Sequence, residues 1–283
     1  MLVNQLRSAA SFVRWRLKPV RWSGKLLGQL RQFPQRPYAQ SERKASGSKA
    51  YAELSGNGYT KFAPGLSLPQ IDVARLAGKA SGKAFVDVGK DFPDQLAEAF
   101  VKIMSLPGAQ ETVLDYFDGC PRLWNVALNY SDVSDQASES QLWHFDYGDT
   151  KQLHFMVYFT DVELDCGPFT FFDASTSAQV PRHPLVIERF TDDDLSRNYG
   201  INVSQRSIRL VGARGDVFAA DPGRILHQGA RCSKSRLVMF ITFTTPAPMS
   251  RGGRTTMSNA QRVALWNALA DSGAAVLDKR VFF

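Results

Sequence analysis

The chain is poor in cysteine. Cys120, Cys166 and Cys232 stand far apart and are odd in number, which argues against a disulfide scaffold and a four-thiolate zinc site. That usage fits a reducing compartment, so a cytoplasmic location is expected. Long apolar runs are also missing; nothing approaches the ~20 residues a membrane-spanning helix needs. Histidine is scarce, with four among 283 residues. Acids nearly vanish from residues 1–50, where Glu42 stands alone among eleven lysines and arginines. The formal net charge of +7 therefore originates in this arm, and the remainder is slightly acidic. With 44% hydrophobic and 22% charged residues, the composition is that of a globular chain rather than a coiled coil or a disordered acidic tail.

Within the arm, Leu2, Leu6, Ala9, Val13, Leu17 and Val20 recur at helical spacing, with Arg7, Arg14, Lys18 and Arg21 to one side. Phe12, Trp15 and Trp22 lie near the polar boundary, and Pro19 kinks or ends the helix. Three roles fit this pattern: peripheral docking on an anionic membrane or a partner protein, packing of the apolar stripe on the parent domain, and organelle targeting. A secretory signal does not fit, because Arg14, Arg16 and Lys18 interrupt any apolar core. A basic stretch alone attracts nucleic acid only nonspecifically, so no specific nucleic-acid partner is expected. The expected organisation is a basic arm over 1–50, amphipathic helix plus linker, followed by one domain over 51–283.

The body opens with a short half-buried segment, Gly58 to Phe62, and two helices, Pro93 to Met104 and Glu111 to Phe117, the first striped by Leu96, Phe100 and Ile103. Strand-like runs follow: 123–130, 141–146, 153–160, 169–172, 185–187, 201–210, 216–219, 225–227 and 236–245. Turn signals such as Asp165-Cys166-Gly167-Pro168 and Asp221-Pro222-Gly223 separate them. Closely spaced strands with few helices between them indicate an antiparallel sandwich or barrel, a mainly β fold with flanking helices. A last helix, Asn259 to Leu269, has Ser258 as its cap.

His144 and Asp146 are separated by one residue, and strand alternation sends both side chains to one face. His227 falls in a later short strand that a β-sandwich can bring beside the first. Two neutral imidazoles and a carboxylate on one side of a divalent ion leave three positions open for chemistry, whereas a structural zinc site closes its shell. Arg236 opens the final apolar strand; its planar fork can meet the distal carboxylate of a dicarboxylic acid with two parallel bonds. His154 lies opposite in parity to Leu153, Phe155, Val157 and Phe159, and points outward if those four face the interior. His183 reads as a loop residue, and Phe169 to Phe172 reads as core with one face free to line a pocket. Nothing near Cys166 or Cys232 suggests a catalytic thiolate.

Gln141-Leu142-Trp143-His144-Phe145-Asp146, Tyr158-Phe159-Thr160-Asp161-Val162, Cys166-Gly167-Pro168-Phe169, Gly215-Asp216-Val217 and His227-Gln228-Gly229, in that order, resemble the phytanoyl-CoA dioxygenase family. The likeness runs from about Gly58 to Pro246. It implies a double-stranded β-helix, the cupin-like jelly roll, and an Fe(II)- and 2-oxoglutarate-dependent dioxygenase that consumes O2 and releases succinate and CO2. By position His144, Asp146 and His227 would hold Fe(II), Arg236 would anchor 2-oxoglutarate, and Phe159 would lie beside it. The carboxylate of Asp146 favours hydroxylation of a C–H bond in a small or lipid-like molecule over halogenation. The chain departs from the family at Ala174-Ser175-Thr176, where relatives often place a Ser-His pair, and at Val238, which lacks a hydroxyl to assist Arg236; Tyr158, Tyr130 and Thr242 are the substitutes. The rivals are a cupin-like metalloenzyme that uses no 2-oxoglutarate, a zinc hydrolase, and a non-enzymatic membrane-docked module in which the arm is the working part.

Overall fold

The computed structural model describes residues 47–80, 83–118, 121–133, 141–146, 149, 151–181, 188–229, 232–246 and 257–283. The helix expected in the arm, the loop reading of His183 and the strand expected over 185–187 lie outside the described residues, as does Cys120.

Among the described residues, nine strands form two antiparallel sheets flanked by helices. The strands are β1 (Tyr59–Ala63), β2 (Val86–Asp87), β3 (Arg122–Ser131), β4 (Gln152–Tyr158), β5 (Phe169–Phe171), β6 (Ile208–Arg209), β7 (Val217–Ala220), β8 (His227–Gly229) and β9 (Arg236–Thr244). Six of them join in the order β1-β7-β4-β9-β3-β2, and three in the order β6-β5-β8. The helices are α1 (Lys49–Asn57), α2 (Pro93–Met104), α3 (Ala109–Phe117), α4 (Ala174–Ser177), α5 (Asp192–Tyr199), α6 (Val203–Arg206) and α7 (Asn259–Asp271). No described helix is long and apolar enough to cross a membrane.

The centre of the large sheet is β9, paired along its length with β3 on one side and β4 on the other. Alternation gives each of these strands two faces. Leu237, Met239, Ile241 and Phe243 of β9 join Leu153, Phe155 and Val157 of β4 in the main core, which also takes Leu96, Phe100 and Ile103 of α2 and Leu265 and Leu269 of α7. The periodic stripe predicted for α2 is the face it buries. Ser258 caps α7 by accepting from the Gln261 N–H, and Gln261 returns a bond to the Ser258 N–H, a reciprocal pair that starts the helix where the sequence expects it. Arg262 of α7, nearly buried, donates from Nη1 to the carbonyl of Phe282 at 2.7 Å and ties the C-terminal segment to the helix.

The opposite faces of β3, β4 and β9 carry a different set: Asn125, Asn129 and Ser131; His154, Met156 and Tyr158; Arg236, Val238, Phe240 and Thr242. They look across a cavity at Phe169 of β5 and His227 and Gly229 of β8 in the small sheet. The parity reading for β4 is thereby corrected. Leu153, Phe155 and Val157 pack under the helices, and His154 faces the cavity. Both faces of β4 are largely apolar and buried, so hydrophobicity alone does not say which one the helices cover.

Two other expectations change. Residues 201–210 are not one strand: Asn202 accepts from the Gln205 N–H and starts the short α6, leaving only Ile208–Arg209 as β6. Residues 141–146 form isolated pairings rather than a strand, because Trp143 pairs with Phe190 and the next residue with His227. The Gly215-Asp216 pair serves the sheet edge. A side chain at Gly215 would meet the Leu66 carbonyl at 2.3 Å, at a φ of +94°. Asp216 accepts from Lys61 Nζ at 2.7 Å and from the Gly65 N–H at 3.2 Å.

Phe155 is fully buried with its ring 5.3 Å from Phe62 and 6.2 Å from Phe243. Phe155→Ala is expected to cost about 3–5 kcal/mol by lost transfer energy and a residual cavity. Urea unfolding followed by circular dichroism checks this, and an unchanged midpoint would take Phe155 out of the core.

Candidate metal centre

His144 and His227 are placed by the backbone. Their main chains exchange two N–H to carbonyl bonds, each 2.9 Å, so the residues stand directly opposite one another. Trp143, fully buried, stacks on Phe172 at 4.4 Å and donates from its indole to Asp192 at 2.6 Å, which anchors the chain just before His144. The Asp146 N–H donates to the Pro222 carbonyl at 2.9 Å, which fixes where its carboxylate starts. The imidazoles lie 4.3 Å apart, and that of His227 stacks on Phe169 at 5.0 Å.

Each imidazole also has its tautomer set. Nδ1 of His144 lies 2.7 Å from the Leu142 carbonyl, and Nδ1 of His227 lies 3.1 Å from the Ile225 carbonyl. A carbonyl can only accept, so Nδ1 carries the proton and Nε2 presents its lone pair. The two Nε2 atoms converge on Oδ1 of Asp146, at 3.6 Å from His144 and 3.8 Å from His227. The three donor atoms lie within 4.8 Å of one another. An ion reached at about 2.0–2.2 Å by each donor spans gaps of up to about 4.4 Å, which covers the 3.6 and 3.8 Å separations.

Burial holds the rings neutral. It lowers the pKa of His144 to about 4, helped by the neighbouring His227. It lowers that of His227 to about 3. The guanidinium of Arg189 disfavours protonation of both rings. Arg189 has no motif around it, and only the pairing of Phe190 with Trp143 carries it to this place.

The second oxygen of Asp146 is engaged as well. Gln152 Nε2 donates to Oδ2 at 3.0 Å and lies 2.6 Å from Nε2 of His154. His154 Nε2 is 3.9 Å from the same oxygen. His154 lines the cavity, and Gln152 precedes it by two residues on the same face of β4.

The cavity holds about 470 Å³, the size of a small-molecule pocket. Arg236 lines it from the first position of β9, opposite Ser131 in register, and no acidic side chain among the described residues forms an ion pair with it. Tyr158 lines it too; its hydroxyl donates to the Leu210 carbonyl, and burial raises its pKa while the charge of Arg236 opposes the rise. The charge of Arg236 thus reaches the Tyr158 hydroxyl across the cavity wall. Tyr130 packs in the core under the helices, and Thr242 pairs in register with His154 farther along the sheet. Phe159 does not line the cavity. It sits in the main core on the helix side, one residue out of phase with Tyr158, which corrects its expected place beside a cosubstrate. Phe169 lines the cavity while Phe171 and Phe172 are fully buried. Cys166 and Cys232 are buried, and burial raises the pKa of both thiols.

No protein-family model matches this chain, and no curated protein matches it. Solved structures do. The non-haem α-ketoglutarate-dependent carbocyclase SnoK from nogalamycin biosynthesis is 14% identical with a TM-score of 0.48, over 77% of this chain and 97% of that one. EctD from S. alaskensis, solved with 2-oxoglutarate and 5-hydroxyectoine, is 14% identical with a TM-score of 0.48, over 74% and 80%. HygX from Streptomyces hygroscopicus, solved with nickel and 2-oxoglutarate, is 13% identical with a TM-score of 0.46, over 72% and 88%. Likeness at this level carries no chemistry across; that rests on the residues above.

The depressed histidine pKa values predict a pH dependence. In the unfolded chain an imidazole titrates near 6.5, so below that pH the unfolded state takes up protons that folded His144 and His227 refuse. Metal-free protein should lose stability progressively as pH falls from about 6.5 toward 4. His227→Leu should flatten that slope in urea titrations at a series of pH values. Equal slopes would mean that His227 protonates as readily in the fold as outside it.

Proposed function

We propose that this chain is an Fe(II)- and 2-oxoglutarate-dependent oxygenase on a double-stranded β-helix, hydroxylating a C–H bond of a small molecule with release of succinate and CO2. The observation that carries the reading is one cavity with two Nε2 lone pairs and a carboxylate oxygen converging at one place and the Arg236 guanidinium on its wall. The donor set fits a borderline divalent metal, since imidazole and carboxylate oxygen suit iron and leave open positions on one side. Bound there, the ion supplies the redox chemistry that O2 needs.

The chain's own residues do the rest. The backbone carbonyls of Leu142 and Ile225 hold both imidazoles in the donor tautomer before any ion arrives, so no proton must leave Nε2 on binding. Arg236 can receive the distal carboxylate of 2-oxoglutarate through a bidentate pair, a charge-assisted contact worth about 1.5–3 kcal/mol per bond. Val238, Phe240 and Met156 form an apolar floor between β3 and β4. Such a floor keeps bulk water from the reacting centre and strengthens the charge interactions made above it. Asn125, Asn129 and Thr242 give the same floor groups able to orient a polar substrate. Peripheral attachment through the basic arm, in a cytoplasmic setting, belongs to the same proposal.

With Fe(II), ascorbate and 2-oxoglutarate, the protein is expected to form succinate, and His144→Ala to abolish it. A fully active His144→Ala protein would refute the ligand assignment. Arg236→Leu should raise the 2-oxoglutarate concentration at half-maximal rate by at least roughly 10–100-fold, the worth of even one of the two charge-assisted bonds it removes. An unchanged requirement would favour a metalloenzyme that uses no 2-oxoglutarate.

A further inference from the structure

From the contacts of Asp146 we infer that Gln152 is a positioning residue which holds this carboxylate as a single-oxygen donor, and that His154 fixes the orientation of the Gln152 amide. The inference rests on the metal-centre reading and adds residues that no motif marks.

The two oxygens of Asp146 have separate tasks. Oδ1 faces both Nε2 atoms, at 3.6 and 3.8 Å. Oδ2 accepts from Gln152 Nε2 at 3.0 Å. A carboxylate free to rotate could turn both oxygens to an ion and fill one more position; the amide bond removes that freedom and keeps the cavity side open. Gln152 is itself 8% exposed, so the contact is shielded from competing water. Its backbone is held from the helix side, where the Tyr116 hydroxyl donates to the Gln152 carbonyl at 3.1 Å.

An amide can present either nitrogen or oxygen, and only the nitrogen serves here. His154 makes the choice. With its Nε2 2.6 Å from Gln152 Nε2, the ring accepts the second amide hydrogen while the first goes to Asp146. Rotating the amide would set its oxygen against both the Asp146 oxygen and the His154 lone pair. The His154 side chain is 15% exposed and its ring meets Phe240 edge-on at 5.9 Å, so it has little room to swing away. Groups of this kind, which orient a ligand from behind, typically change metal affinity by 10–100-fold when removed.

The test uses Co(II), added to the full-length, chelator-treated protein, with calorimetry for affinity and visible absorption for ligand geometry. Gln152→Leu is expected to weaken Co(II) binding by roughly 10–100-fold and to change the visible band, while thermal unfolding of the metal-free protein stays close to the parent's. His154→Phe should shift both readings in the same direction by less. Should the leucine variant fail to fold, Gln152→Glu keeps the shape, replaces the donor with a repelling carboxylate, and carries the same two readings. Affinity within twofold of the parent with an identical spectrum would overturn the inference. If the parent protein itself binds no Co(II), the metal-centre reading falls first and takes this one with it.

Discussion

Two imidazole N–H groups committed to backbone carbonyls govern the site. Because His144 donates to Leu142 and His227 to Ile225, each ring spends its proton within its own segment and turns an unprotonated Nε2 outward. The same rings are buried, and a buried charge without a partner is expensive, so the neutral form is also the favoured one. A pair of neutral nitrogen donors directed at one carboxylate oxygen follows from these two facts together. The backbone pairing of His144 with His227 then matters as geometry: a shift of one residue in either segment would send its ring to the other side.

The large sheet explains why there is a cavity to serve. Helices α2, α3 and α7 cover one face of β3, β4 and β9, and the small sheet stands over the other. Phe155, Phe243 and Leu237 fill the first side tightly. On the second, Asn129, Ser131 and Arg236 interrupt the apolar surface with groups that cannot be buried without partners. A face carrying such groups is a poor core and a good pocket wall.

Much of this was readable in the order of residues. The His144-x-Asp146 pair, the distant His227, the start of β9 at Arg236 and the limits of α2 follow from alternation, helical spacing and capping, which are local. What could not be read is relational. The parity of β4 was reversed because Leu153, Phe155 and Val157 are apolar and so are Met156 and Tyr158, and a strand buried on both faces gives no sign of which side faces helices. The alternation that turns His154 to the cavity also carries Phe159, expected from the family resemblance beside the cosubstrate, to the helix side. A glutamine at the first position of a strand has no motif value; Gln152 gains its part only when β4 lies beside the segment that bears Asp146. Residues 201–210 looked like a strand by composition, yet the Asn202 side chain captures a backbone N–H locally, and local capture wins where no partner strand competes.

The distribution of charge gives the arrangement its direction. With both imidazoles neutral, the ligand cluster carries only the single negative charge of Asp146, so a divalent cation held there is left positive on balance. The other fixed cation among the described lining residues is Arg236, set apart from the cluster by the apolar run of Val238 and Phe240 along β9. Two positive poles separated by a low-dielectric floor favour a ligand that is negative at both ends and resist one that is negative at a single end, because an uncompensated pole in such surroundings is costly. Adding a third charge to the cluster, by protonating either ring or by recruiting a second carboxylate, would spoil that match from one side or the other. The carbonyl bonds that keep the imidazoles neutral therefore do more than ready them as donors: they set the charge of one pole, and with it the kind of molecule the cavity is able to align.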